Sequence, residues 1–408
     1  MNVDRSTPAD VVVAEVRAWV EANVPQTWVE AGRRGGAAAV REVRTRAAYE
    51  QWYPVFAASG LVVPTWPVAY GGLDLPLATA RVIDGELRPF NLGRLNPLGL
   101  NNTAPALYAY GTEEQRLRFL PPMVRNDEKW CQLFSEPGAG SDLASLATRA
   151  ERDGDVWRVT GQKVWSTWAH FSDFAILLAR TDADLPKRQG ITYLLLDLHQ
   201  AGVDVRPLRH IGGEVEFNEV FIDGALVPDA YRVGEVGQGW KVANATLSGE
   251  RQMVSGAGSG GVDRIGGRGV DHVLELARRT GRDREPLVRQ ELTRVYSEER
   301  IRDWTNQRVR AQVKAGRAPG PESSVGKVHA GALNQRIQLL ATDLLGAAAV
   351  AWPEDQPLEV RGMLRSRANT IEGGTTEVNK NILGERVLGL PREPDPWQGA
   401  PWRDVPRS

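Results

Sequence analysis

The chain has 408 residues, a formal net charge of -1 with 25% charged residues, one cysteine and five histidines. Its length exceeds what a single core fills, so two or three subdomains are expected, and so balanced a charge supplies no field that selects nucleic acid or an anionic membrane. Cys131 stands alone, which excludes an internal disulfide and the common cysteine-based metal sites, His170, His199, His210, His272 and His329 lack ligand spacing, and no basic leader or run of about 18 apolar residues occurs, so a metal-free, soluble, cytoplasmic protein is expected.

The first element reads as a helix. Thr7 is placed to cap it, Pro8 suits its first position, Asp10 favours its positive end, and Val12, Val16, Trp19 and Val20 form one apolar stripe. Helical patterning returns from about Val40 to Ser59, and Thr65-Trp66-Pro67-Val68-Ala69-Tyr70-Gly71-Gly72 interrupts it as a loop. Thr112 with Gln115 makes a capping box for a later helix, and residues 1–125 are read as an all-helical domain.

From Trp130 the period changes. Asp153-Gly154 is a hairpin signal with Val156-Trp157-Arg158-Val159 alternating behind it. Phe174 to Leu178 and Ile191 to Leu196 are apolar runs of strand length, and Phe217-Asn218-Glu219-Val220-Phe221-Ile222 alternates again, so residues 126–235 are read as a β-domain. Helical patterning resumes after Gly237-Gln238-Gly239-Trp240 and gives a domain over 236–390. One stripe in it holds Val288, Leu292, Val295 and Tyr296, another Val325, Val328, Leu333, Ile337, Leu340 and Leu344, both read as core, with a Gly/Pro loop at 316–321 between them. The tail, 391–408, is rich in proline, tryptophan and charge and is expected to wrap a surface or a partner.

The stretch that organises the rest is Phe134-Ser135-Glu136-Pro137-Gly138-Ala139-Gly140-Ser141-Asp142. Its small residues let backbone N–H groups approach an anion closely, as a diphosphate requires. On its own such a cluster is equally what an ordinary turn looks like. Gly161-Gln162-Lys163-Val164-Trp165-Ser166-Thr167, about one strand later, adds a flat apolar wall and a hydroxyl suited to a large planar heterocycle.

Together these two stretches resemble the flavin-binding signatures of the acyl-CoA dehydrogenase family. The loop at 65–72, the Gly111-Thr112-Glu113-Glu114-Gln115 helix start, Leu247-Ser248-Gly249-Glu250-Arg251 and Ile371-Glu372-Gly373-Gly374-Thr375-Thr376-Glu377 fall in the order of that family's motifs. The resemblance implies an α+β fold: an N-terminal all-α domain, a middle β-domain and a C-terminal domain like a four-helix bundle. It implies FAD as cofactor and α,β-dehydrogenation of an acyl-CoA thioester. In the family a carboxylate removes the α-proton while the β-hydrogen leaves as hydride to flavin N5, and electrons then pass to an electron-transfer flavoprotein.

By motif position the resemblance assigns Gln132, Phe134, Ser135, Gly140, Ser141, Trp165 and Thr167 to the flavin, with Ser141 also facing substrate. Thr375 and Glu377 fall at a helix start suited to diphosphate oxygens. The Gly373 N–H would meet the thioester carbonyl and stabilise the developing enolate. The commonest slot for the catalytic glutamate is occupied here by Gly373, which cannot take a proton, so the base is assigned to Glu250, in the Glu-Arg pair used by a minority of members, with Glu372 as second choice. Arg251 would orient the base or meet the CoA moiety.

The adenosine end departs from the family. Arg279 is present but the Phe-Gly that follows it elsewhere is not, and Asp343-Leu344-Leu345-Gly346-Ala347 stands where a glutamine and two glycines are usual. Asp343 cannot supply the donor half of a glutamine. Arg279 and Gly346 are the cofactor contacts that remain there. Such sites lie at subunit boundaries in the family, so a homo- or hetero-oligomer is expected. Two other readings stay open on the same scaffold: a non-catalytic partner subunit, and an oxidase or monooxygenase using oxygen.

Overall fold

The computed structural model describes residues 3–254, 269–315, 320–352 and 355–406; the side chains of 248–254, 310, 313 and 314 lie outside the described ones. Six α-helices come first: α1 (Ala9–Asn23), α2 (Gln26–Val43), α3 (Arg46–Ala58), α4 (Leu77–Leu87), α5 (Ala104–Tyr110) and α6 (Glu113–Arg125). Val12, Val16 and Val20 of α1 are buried, one turn apart, as the stripe predicts. Thr7 does not cap this helix. Pro8 occupies the cap position, and the Thr7 hydroxyl instead pairs with the Asp4 carboxylate and backbone.

The capping box at α6 forms in full: Thr112 Oγ1 accepts the Gln115 amide at 3.2 Å and Gln115 Oε1 accepts the Thr112 amide at 3.0 Å. The Gln115 amide group also donates to Ala230 O and Arg232 O (2.8 and 2.7 Å), pinning the helical part to the strands that follow. Thr112→Ala is therefore expected to lower stability by about 1 kcal/mol, whereas Thr7→Ala should change it by less than about 0.5 kcal/mol. Midpoints of urea unfolding compare the two.

The strands are β1 (Trp130–Leu133), β2 (Arg149–Asp153), β3 (Val156–Lys163), β4 (Phe174–Arg180), β5 (Ile191–Asp197), β6 (Val203–Leu208), β7 (Phe217–Pro228) and β8 (Arg232–Val233). They form one sheet in the order β6-β7-β3-β2-β4-β5-β8, with β1 parallel to β4 off that path. The β2–β3 hairpin turns at Gly154, whose φ of +61° belongs to the left-handed region that glycine enters without cost. Every residue of β4 is buried. The strand period of two explains why: Phe174, Ile176 and Leu178 join the core shared with the N-terminal helices, while Ala175, Leu177 and Ala179 join a second core with Trp157, Val159, Val220 and Ile222. Cys131 lies in that second core, where burial pushes its thiol up to about 12.

The remaining helices are α7 (Gly239–Val254), α8 (Val270–Arg279), α9 (Pro286–Lys314), α10 (Ser324–Leu345), α11 (Leu358–Ser366) and α12 (Thr376–Arg386). A third core packs α8, α9 and α10 through Val273, Leu276, Val288, Leu292, Val295, Leu333, Ile337, Leu340 and Leu344. Two stripe positions depart from expectation: Tyr296 is 51% and Val325 is 40% exposed. Among the described residues no helix is long and apolar enough to cross a membrane, and none of their His, Cys, Asp and Glu side chains gather to hold a metal ion.

Candidate active site

The 134–142 stretch leaves β1 and turns at once. Glu136 and Ala139 exchange both backbone hydrogen bonds at 3.0 Å, closing a tight turn over Pro137 and Gly138. The turn is anchored from inside. The Glu136 carboxylate, 8% exposed, accepts the amides of Ala147 (2.6 Å) and Thr148 (2.9 Å) and the ammonium of Lys163 (2.8 Å), which is fully buried and also donates to Phe134 O at 3.0 Å. Ser135 O accepts the Val164 amide at 3.0 Å, so the two signature stretches are stitched side by side. Burial favours the neutral acid, but the Lys163 charge and the hydrogen bonds outweigh it and hold the Glu136 carboxyl below the usual carboxylate range. Beyond the turn Gly140 and Ser141 are exposed, and a Cβ on Gly140 would meet nothing within 4 Å. A cleft of about 380 Å³ opens beside the turn, lined by 136–139, Ser145, Thr148 and Gly161 among others.

After β3 the chain adopts φ of +59° at Trp165 and +55° at Trp168, a conformation uncommon for bulky residues. Hydrogen bonds hold it: Ser166 N donates to Asn218 O (3.1 Å), Asn218 Nδ2 to Ser166 O (2.8 Å), and Trp168 N to Glu216 O (2.8 Å). Trp165 is thus turned outward, 55% exposed, its ring edge-on to Phe217 at 5.6 Å, with Thr167 half-buried beside it.

The start of β7 brings the 371–377 stretch to the same place. Arg365, on α11, lies 5.5 Å from the Phe217 ring and bonds two carboxylates, Glu216 at 2.6 Å and Glu372 at 3.1 Å. Burial pulls the guanidinium pKa down, yet Glu372 and Glu216 more than offset this and hold it above its ordinary value. Glu372 also accepts from Asn369 Nδ2 at 3.1 Å. Gly373 and Gly374 follow with φ of +64° and +82°. A glutamate at 373 would carry a Cβ into the left-handed region at a cost of about 1 kcal/mol, which agrees with glycine standing there. The amides of Ile371 and Glu372 donate to Ala368 O at 2.8 and 2.9 Å, whereas the Gly373 amide has no hydrogen-bond partner among the described residues. Thr375 caps α12, accepting the Val378 amide at 3.1 Å, and the exposed Glu377 lies in its first turn.

On the other side, Phe134 packs edge-on against Tyr193 of β5 at 6.1 Å, and the Tyr193 hydroxyl bonds Thr246 of α7 at 3.0 Å, both buried. Residue 250 stands one turn beyond Thr246 on the same face of α7; the side chains of Glu250 and Arg251 lie outside the described ones. Gln132 accepts from Asn102 Nδ2 at 3.1 Å, across a π-turn spanning Gly99–Thr103. Asn102 Oδ1 and Thr103 Oγ1 are buried there without hydrogen-bond partners among the described residues. Arg279, exposed, and Gly346, at φ +58°, end α8 and follow α10. Arg282 Nη1 donates to Asp343 O at 2.6 Å, which sets these two helix ends side by side. Neither Arg279 nor Gly346 hydrogen-bonds to the strands among the described residues.

Lys163, Arg365 and Asn102 were not among the site residues picked from sequence. Two adjacent amides, Asn101-Asn102, in a mostly apolar stretch are a signal for the last; the other two show their roles only through distant partners.

The chain matches three domain families in order: acyl-CoA dehydrogenase, N-terminal domain over 10–127, middle domain over 131–224 and C-terminal domain over 237–388. It is 38% identical to the acyl-CoA dehydrogenase IpdE1 of Mycobacterium tuberculosis over 391 residues, covering 93% of this chain and 97% of that one. The chain belongs to the acyl-CoA dehydrogenase family. Among solved structures, this dehydrogenase is similar to the Tcur3481-Tcur3483 steroid ACAD (TM-score 0.73, 28% identity, 96% and 100% coverage). It is similar also to the ChsE4-ChsE5 complex from Mycobacterium tuberculosis (TM-score 0.68, 26% identity, 96% and 100% coverage). The dehydrogenase is an FAD-dependent oxidoreductase of acyl-CoA metabolism, with the α+β fold of its family. An outward-facing indole wall, an open glycine turn and a backbone amide without a partner among the described residues fit a planar flavin with an anionic tail.

Proposed function

We propose that this dehydrogenase introduces an α,β double bond into a CoA thioester with a bulky, steroid-derived acyl group and passes the electrons to an electron-transfer flavoprotein. Bound FAD supplies the hydride acceptor. The observation that carries the reading is the Gly373 amide, without a hydrogen-bond partner among the described residues, on a left-handed turn that Glu372 ties through Arg365 to the Phe217 ring. A thioester α-proton is too weakly acidic for a carboxylate unless a donor stabilises the developing oxyanion, and a preset amide does so without reorganising.

Glu250 is the base in this reading. Glu372 is already committed to Arg365 and Asn369, whereas residue 250 lies on the face of α7 that Thr246 ties, through Tyr193, to Phe134. Gln132, Phe134, Ser135, Gly140, Ser141, Trp165 and Thr167 hold the flavin, with Ser141 shared by substrate, and Thr375 and Glu377 add a helix start for the diphosphate. Arg251 meets the CoA moiety. Arg279 and Gly346 serve the adenosine end of a neighbouring subunit's flavin, like or unlike. The steroid class is supported by the similarity to the steroid ACAD.

Anaerobic absorption spectra of the purified protein test this. With FAD bound, a steroid-side-chain CoA thioester is expected to bleach the flavin band fully and straight-chain acyl-CoA thioesters of the same panel to bleach it slowly. A flavin that no thioester reduces would sink the activity; preference for straight chains would sink the substrate class alone.

A further inference from the structure

The matched C-terminal domain ends at residue 388, yet the ordered chain goes on. Residues 391–399 are exposed throughout; Pro391 and Pro394 sit in an irregular stretch over 391–395, and a turn at 396–399 follows, with Gln398 N donating to Asp395 O at 3.2 Å and Ala400 N to Trp397 O at 3.0 Å. The chain then returns to the β-domain. Trp402 N donates to Leu185 O at 2.9 Å and Arg403 N to Ala183 O at 3.1 Å, while Arg403 pairs with Asp184, so the tail lies antiparallel along the loop between β4 and β5. Trp402 is 8% exposed, and its indole Nε1 donates to Ser145 O at 3.2 Å.

What Trp402 covers matters more than the bonds it makes. The Arg180 guanidinium lies 4.7 Å from its ring. That guanidinium donates to Ala144 O (2.6 Å) and Leu146 O (3.3 Å) on one side and to Lys187 O (2.6 Å) on the other. Asp142 is tied to the same two segments, accepting from Ser145 Oγ at 2.5 Å and from Lys187 Nζ at 2.7 Å. The residue immediately before it is Ser141. The turn itself is closed at Glu136 and Ala139, but Gly140, between it and Ser141, restricts its backbone little, so the position of Ser141 is fixed by what holds 142–146. Without Trp402, water reaches a buried guanidinium and competes for its carbonyl acceptors.

We propose that the tail beyond Leu390 is a strap and that Trp402 is a positioning residue, holding 141–146 against 183–187 so that ligand binding at Ser141 depends on the far end of the chain. The inference rests on the reading of Ser141 as a flavin and thioester contact.

Hydrogen exchange on the full-length protein, followed by mass spectrometry, tests the strap directly. In Trp402→Ala, amides of 141–148 and 183–187 are expected to exchange at least about tenfold faster, as loss of one hydrogen bond and its covering ring implies, with β4 and α10 unchanged. Trp402→Phe keeps the ring and loses the bond to Ser145 O, giving an intermediate rise. FAD and coenzyme A, titrated separately, should each bind Trp402→Ala at least about tenfold more weakly than wild type. Exchange in 141–148 within about twofold of wild type would overturn the strap. Faster exchange with unchanged FAD and coenzyme A affinities would overturn the positioning role, as would a wild type that binds neither; that last result also fails the functional reading, while the exchange data still judge the strap. Should Trp402→Ala lose protection in β4 as well, Trp402→Phe decides, faster exchange confined to 141–148 and 183–187 supporting the strap and unchanged exchange overturning it.

Discussion

Lys163→Met is expected to destabilise the fold by about 3–5 kcal/mol at neutral pH, because it leaves a buried carboxylate without its cation. Lys163 is fully buried and bonds Glu136 at 2.8 Å and Phe134 O at 3.0 Å; methionine fills similar volume but offers no donor. Glu136 would keep two backbone amides and lose its only ion pair among the described residues. In the wild type the Glu136 pKa is depressed below its ordinary 4.5, so its contribution is fully present above that value and fades as pH falls through the folded pKa. In the variant desolvation dominates and the folded pKa rises, so protonation relieves the damage. The gap between the two proteins should therefore be widest near pH 7 and narrow as the pH falls toward 4.5 and below. Urea unfolding at both ends of that range measures it. Adding Glu136→Gln to Lys163→Met should recover stability, since removing both charges costs less than orphaning one. A loss below about 1 kcal/mol would mean that water already reaches the pair and that the turn is held by its backbone bonds alone.

How far the sequence disclosed this molecule depends on how local each determinant is. The Thr112–Gln115 box, the Gly154 turn and the strand-length runs at 174–178 and 191–196 involve residues a few positions apart, and each formed, the strands running on to 180 and 197. The Gly373-Gly374 pair was legible as a break in the usual motif; its reason, successive positive φ angles, needed coordinates. Thr7 failed as a cap because Asp4, three residues earlier, offered its hydroxyl a charged acceptor and Pro8 already set the entry angle. Tyr296 and Val325 failed as core because an apolar stripe states which face is buried without stating how wide the neighbouring helix is. The interactions that hold the candidate site together are long in sequence: Arg365 reaches Glu216 across 149 positions and Trp402 reaches Ser145 across 257. No periodicity encodes such a pair. It is chosen by the docking of the C-terminal helices and tail onto the strands.

Glu250→Gln is expected to lower the rate of thioester-driven flavin reduction by about 10²–10⁴-fold, the usual contribution of a positioned base, while leaving thioester affinity nearly unchanged. Glu372→Gln should cost less than about tenfold, because an amide there still accepts from Arg365 and keeps the turn that aims the Gly373 amide. Stopped-flow reduction under anaerobic conditions, with saturating thioester, separates the two. The prediction turns on Arg365. A carboxylate that accepts from a guanidinium at 3.1 Å and from Asn369 at 3.1 Å is held in place, and turning it toward a substrate α-carbon would break both charge-assisted bonds. Were the outcomes reversed, with Glu372→Gln inert and Glu250→Gln active, Arg365 would have to release Glu372 during each turnover and fall back on Glu216 alone. Arg365→Lys would then speed reduction by loosening that grip. If Glu250 is the base, the same substitution should slow reduction, because it loosens the turn on which the Gly373 amide is presented.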